Sequence, residues 1–203
     1  MTLGPEYFAG MYAASPDPWG FTSRWYEQRK YAISAAMLPA RRYGDALEIG
    51  CSVGVFTRTL AERCDRLLAW DVSQTAVAAA AERTAGQPQV RVEQRTMPGG
   101  WPAEPVRFDL IVVSEVLYYF AGVDLDLMLD RIVAALDPGG TLLAVHWRHP
   151  VPDYPRTGDE VHRALAARPG LARLVEHREP DFVAEIHTRG TTATSVAEAE
   201  GLV

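Results

Sequence analysis

With 203 residues, 48% of them apolar, the chain is long enough for one well-buried core and too short for two. An excess of six acidic over basic groups leaves no face that has to be basic, which argues against nucleic acid and for a small-molecule substrate. Cys51 and Cys64 have neither the number nor the spacing of a metal site or a disulfide framework. No stretch reaches membrane-spanning length and no cationic leader precedes an apolar run, so the expected location is the cytoplasm.

Residues 1–40 carry Tyr7, Phe8, Tyr12, Trp19, Phe21, Trp25, Tyr26 and Tyr31, an aromatic density that an exposed leader would not need. They read as a lid belonging to the same domain as residues 41–189, with a helix over 23–37 after the Pro-Asp-Pro-Trp-Gly break. The stretch Ala46-Leu-Glu-Ile-Gly-Cys-Ser-Val-Gly-Val-Phe56 reads as a buried strand, a tight turn at Gly50 and Gly54, and the opening of a helix over 53–63. Glu48 shares a strand face with Gly50, and an acid there is costly to bury unless a cation or hydrogen bond answers it.

Asp71 ends the next apolar run, 21 residues after Gly50, near the spacing at which a second-strand acid meets a ribose. Ser73 is placed to cap a helix over 75–84, and 89–94 alternates as a strand near the sheet edge, with Thr96 and Met97 past its end. The continuous apolar run 108–113 suits a central parallel strand, from whose carboxyl end Ser114 and Glu115 depart. A helix over 124–136 is expected to stop at Asp137-Pro-Gly-Gly140, before a strand over 141–147. A helix over 159–167 and a hairpin of strands over 171–177 and 181–188 follow. Residues 190–203 lack periodicity and are expected to be disordered.

The turn has neither the G-x-G-x-x-G of a dinucleotide site nor the GK[ST] of a phosphate loop, so a cationic nucleoside fits better than a pyrophosphate. In Leu47-Glu-Ile-Gly-Cys-Ser-Val-Gly54, Asp71, Phe108-Asp-Leu-Ile-Val112 and Asp137-Pro-Gly-Gly140 the sequence resembles the class I S-adenosylmethionine-dependent methyltransferases. Asp17-Pro-Trp19, Tyr26-Glu-Gln-Arg-Lys-Tyr31 and Ser114-Glu-Val-Leu-Tyr-Tyr119 look, more narrowly, like the nodulation protein S family of N-methyltransferases. The resemblance implies an α/β, Rossmann-like fold: a mostly parallel seven-stranded sheet with helices on both faces and an N-terminal helical lid. Two positions depart from the pattern. The family's middle glycine is Ser52, which fits if its φ is negative, and the acid that often follows the third strand is Thr96.

The resemblance also implies S-adenosyl-L-methionine as cofactor and S-adenosyl-L-homocysteine as product. Trp19, Glu48, Gly50, Cys51, Ser52 and Gly54 would then serve the methionine end, the Gly50 and Cys51 backbone in particular. Asp71 and Val72 would serve the ribose, Thr96 and Met97 the adenine, with Ser114 at the rim. An amine acceptor must lose a proton before it can attack, which nominates Glu115 first and His146 second, with Tyr118 and Tyr12 lining the acceptor and His149 a lesser candidate. Nitrogen and oxygen acceptors, and a non-catalytic binder of the same fold, stay open at this level.

Overall fold

In the computed structural model, which describes residues 1–203, the apolar runs come together as one seven-stranded sheet. Strand β1 (Tyr43–Ile49) lies between β2 (Cys64–Asp71) and β4 (Phe108–Ser114), parallel to both. β3 (Val90–Gln94) forms one edge, next to β2. On the other side come β5 (Leu136–Trp147), parallel to β4, and then the antiparallel pair β7 (Phe182–Arg189) and β6 (Leu171–Arg178), giving the order β3-β2-β1-β4-β5-β7-β6. The central position expected for 108–113 follows from composition: Leu110, Ile111, Val112 and Val113 are fully buried, which only a strand covered on both faces allows.

One face of the sheet is covered by α5 (Gly122–Ala135), whose Leu125, Met128, Leu129 and Ile132 repeat at helical spacing and pack on Ile111, Val113 and Leu142. The opposite face takes α3 (Val55–Ala61), with Phe56 and Leu60 against Leu110 and Val112. α4 (Gln74–Arg83) begins as expected, with the Ser73 hydroxyl accepting the Ala76 N–H. α6 (Gly158–Ala166) is opened by a capping box in which Thr157 and Glu160 satisfy one another's N–H groups. Before β1 come α1 (Pro5–Ala14) and α2 (Trp25–Met37). No helix is long and apolar enough to cross a membrane.

Two local expectations change. The helix before Asp137-Pro-Gly-Gly140 ends at Ala135 and the chain joins the sheet at Leu136. Pairing passes from Phe108–Leu136 to Leu110–Thr141, so the Asp-Pro-Gly-Gly segment is an irregularity at the strand's start rather than the stop of the helix. In the tail, expected to be disordered, Ser195 caps a single helical turn, α7 (Val196–Ala199), none of whose side chains is buried.

Candidate active site

The carboxyl ends of β1, β2 and β4, with α1 and α2 above them, enclose a cavity of about 360 Å³. Ligands in open α/β sheets bind at this rim. At its cofactor-like end Gly50 has φ +81°, and a Cβ there would stand 2.1 Å from Val116 Cγ2, so only glycine fits. The N–H groups of Gly50 and Cys51, expected to meet a ligand, instead both donate to the Trp70 carbonyl, at 2.7 and 3.0 Å. They tie the turn to β2, and what the turn gives the cavity is its small cross-section.

Ser52 departs from expectation in a second way: its φ is +48°, the left-handed region where a non-glycine residue costs about 1 kcal/mol. Two contacts offset that strain. Its N–H donates to Asp71 Oδ2 at 2.9 Å, and its hydroxyl pairs with the Tyr12 hydroxyl at 2.6 Å. Asp71 Oδ1 accepts the Ser73 N–H at 2.9 Å, so this carboxylate braces the turn and still has lone pairs for the cavity it lines. Burial raises its pKa against the pull of these N–H groups. Gly54 does not line the cavity. Its φ is +78° and a Cβ would lie 2.8 Å from the Ala80 backbone, so it is the contact that lets α3 approach α4.

Glu48 is 2% exposed and lines the same wall; its Oε2 has no hydrogen-bond partner, and burial pushes its pKa up to about 7. The Ser114 hydroxyl is likewise buried and unpartnered at the rim. Val72, Thr96, Met97, Cys51 and Trp19 all border the cavity, joined by Arg95, whose guanidinium sits over the Trp70 ring.

At the other end Glu115 also has positive φ, +59°, which turns its side chain back under α2. Its Oε1 accepts from Lys30 Nζ at 2.6 Å; its Oε2 accepts the Tyr118 hydroxyl at 2.5 Å and the Trp147 N–H at 2.9 Å. Lys30 is 1% exposed and also lies 2.9 Å from a Glu27 carboxylate oxygen. Burial opposes its charge, but Glu115 and Glu27 outweigh that and hold its pKa above the ordinary value. Tyr118 is kept neutral by burial and by the Glu115 charge, so it is a hydrogen-bond donor to that carboxylate.

His146, expected to serve as a proton acceptor, does not reach the cavity. It is fully buried behind the 3-10 turn Leu117–Tyr119, its Nε2 accepting the Leu117 N–H at 3.2 Å and its Nδ1 3.1 Å from His162 Nε2. Burial, and then His162, hold its pKa well below the ordinary value. His149 is exposed and pairs with Asp181 at 2.8 Å, away from the lining. Sequence reasoning missed the acid–base pair Glu27 and Lys30 as site residues. The signal was present: Glu27, Lys30 and Ser34 form a buried polar stripe at helical spacing on α2.

The nodulation protein S (NodS) family model matches residues 11–153. Nodulation protein S of Bradyrhizobium diazoefficiens is 37% identical across 64% of this chain and 62% of its own. The chain thus spans about three fifths of that curated relative's length. Among solved structures, a protein from Pseudomonas syringae is 44% identical, with TM-score 0.72, over 82% of this chain and all of the other. The N-methyltransferase NodS from Bradyrhizobium japonicum WM9, in complex with S-adenosyl-L-homocysteine, is 25% identical, with TM-score 0.78, over 92% of this chain and 99% of the other. The glycine turn, the second-strand acid and the Ser114–Tyr119 segment all fall within the matched span, and this chain belongs to the nodulation protein S family.

Proposed function

We propose that the protein is a cytoplasmic methyltransferase that uses S-adenosyl-L-methionine to methylate an amine on a small polar molecule, such as an amino sugar or a natural-product intermediate. The observation that carries this reading is the unpartnered, buried Glu48 oxygen in the wall it shares with Asp71. The ammonium of a bound methionine moiety would answer the first, and ribose hydroxyls would match the spare lone pairs of the second. The likeness to an N-methyltransferase seen with S-adenosyl-L-homocysteine supports the same cofactor and a nitrogen acceptor.

When bound, the cofactor supplies a methyl group already activated by its sulfonium. The chain's own work is then to aim the acceptor, exclude water and handle one proton, and positioning alone can supply several kcal/mol, up to about 7–11. An ammonium has no lone pair, so the acceptor must be deprotonated. The Tyr118 hydroxyl donates to Glu115, leaving its oxygen free to accept a hydrogen bond from the acceptor nitrogen. As the acceptor proton moves to the Tyr118 oxygen, the tyrosine's own proton passes to Glu115 Oε2. The product is a neutral amine and a neutral acid. Lys30 holds the carboxylate in place until then, and the rings of Tyr26, Trp147, Tyr119 and Tyr154 line the acceptor side of the cavity.

Calorimetry with S-adenosyl-L-homocysteine tests the cofactor half: wild type binds, NAD does not, and Asp71→Ala weakens binding by about 10- to 100-fold through two lost hydrogen bonds. Absence of binding by the wild type refutes the reading. On a panel of small amines, Glu115→Gln lowers turnover by about 100-fold or more with cofactor affinity retained.

A further inference from the structure

Behind the cavity, a line of buried polar groups runs from the surface to the backbone of the catalytic segment. Arg173 Nη1 donates to Glu185 Oε1 at 2.9 Å. Glu185 Oε2 lies 2.9 Å from His187 Nε2 and 2.8 Å from His162 Nδ1, the latter close but poorly aligned for a hydrogen bond. His162 Nε2 faces His146 Nδ1, and His146 Nε2 receives the Leu117 N–H. Glu185, His187, His162 and His146 are each at most 2% exposed.

Such a row is costly to bury unless every member is satisfied. Here the chemistry of the row assigns its protons. Leu117 N–H can only donate, so His146 Nε2 must be bare and the neutral ring carries its proton on Nδ1. That N–H donates to His162 Nε2, which leaves the His162 proton on Nδ1, the nitrogen 2.8 Å from Glu185 Oε2. An added proton on either ring would set a donor against a donor. In this pattern His146 carries a single proton, on Nδ1, and its burial holds its pKa well below the ordinary value.

The local sequence makes this approach possible. Gly158, at the start of α6, has no room for a Cβ, which would stand 2.3 Å from the Trp147 carbonyl and 2.9 Å from His146 Cβ. One turn later on the same face, His162 is thereby brought onto His146. Leu117 opens the 3-10 turn whose next residue is Tyr118, the donor to Glu115, and the His146 ring lies edge-on to the Tyr118 ring at 5.2 Å.

We propose that His146 is a positioning residue. Held in its Nδ1–H tautomer by His162 and Glu185, it fixes the Leu117 amide and so aims Tyr118 at Glu115. The consequence for turnover rests on the methyl-transfer reading above; the tautomer and the amide contact do not.

The test uses the full chain, 15N-labelled. Long-range 1H–15N correlation spectra of wild type are expected to show His146 protonated on Nδ1 and bare on Nε2, and a proton on His146 Nε2 overturns the proposal. Two variants then separate the acceptor from the ring. His146→Leu removes the acceptor, and Leu117 amide exchange should rise by tenfold or more. His146→Gln returns a carbonyl oxygen near the Nε2 position and should restore most of the protection. With an amine acceptor, kcat should follow the same order, Leu well below Gln, while the acceptor KM and the affinity for S-adenosyl-L-homocysteine stay within about twofold. Wild-type protection and kcat in His146→Leu, or equal loss in both variants, refutes the positioning role. If no acceptor is turned over by wild type, the methyl-transfer reading fails, while the spectra and exchange rates still decide the tautomer and the contact. Should His146→Leu not fold, His162→Phe leaves His146 in place and removes only its tautomer partner. Mixed His146 tautomers with faster Leu117 exchange support the proposal, and an unchanged spectrum overturns it.

Discussion

The two ends of the cavity are built by different means. The end at Gly50, Ser52 and Asp71 comes from two adjacent strand–turn segments, and its key atoms belong to or bind the backbone. The end at Glu115 draws on residues 85 and 32 positions away in sequence, Lys30 and Trp147, and depends on buried side-chain charge. Damage should therefore behave differently. A charge removed at the Glu115 end leaves its partners stranded, whereas a change in the glycine turn is shared with a backbone already held in place.

Lys30→Met breaks this comparison hardest. It leaves the buried Glu27 and the largely covered Glu115 without their cation, a loss of about 3–5 kcal/mol that urea unfolding will read. Adding Glu115→Gln to that variant should recover part of the loss; no recovery would mean the pair is not coupled as described.

Glu48→Gln is the next largest. The folded acid has its pKa raised from 4.5 to about 7, so it holds a proton that the unfolded chain has released. Wild-type stability from this group is fully present below about pH 4.5 and is lost as pH rises through 7, by about 3 kcal/mol in all. The glutamine variant should gain thermal stability relative to wild type between pH 5 and pH 8 while binding S-adenosyl-L-homocysteine less tightly. A stability difference that is the same at both pH values would show that Glu48 is not buried as a neutral acid.

Ser52→Gly, the smallest, relieves a left-handed serine worth about 1 kcal/mol and gives up a hydrogen bond of similar size to Tyr12. Net stability should move by less than about 1 kcal/mol, with faster amide exchange at Tyr12 as the sign that α1 has loosened. A large loss of stability would mean that the serine contact, not the turn geometry, holds this end.

The same contrast explains what could be read from the sequence. The turn, its glycines and Asp71 lie within 22 residues of one another, where strand alternation and turn chemistry apply directly. Even there, the sign of φ at Ser52 depended on Tyr12 and Asp71, which no local rule supplies. The strands and most helices were legible from periodicity; the end of α5 was not, because Leu136 pairs with Phe108 before the Pro-Gly break takes effect. At the Glu115 end, Glu115 and Tyr118 were legible as a short motif. The place of His146 was not: by alternation it could have faced the rim, and only the packing of α6, through Gly158, decides that it faces the interior.

Helix α1 joins the two ends. Near its start, Leu3 N–H donates to the Tyr119 carbonyl and the Thr2 hydroxyl accepts the Ala121 N–H; near its finish, Tyr12 meets Ser52. Ten residues of helix, about 15 Å, thus form a crossbar latched at both doors of one room. Each latch is more than its hydrogen bonds: Thr2 also donates to Asp124, Phe8 packs edge-on to the Tyr119 ring, and Tyr12 is itself buried. Under the methyl-transfer reading, this one stiff bar borders both the donor's half of the room and the acceptor's.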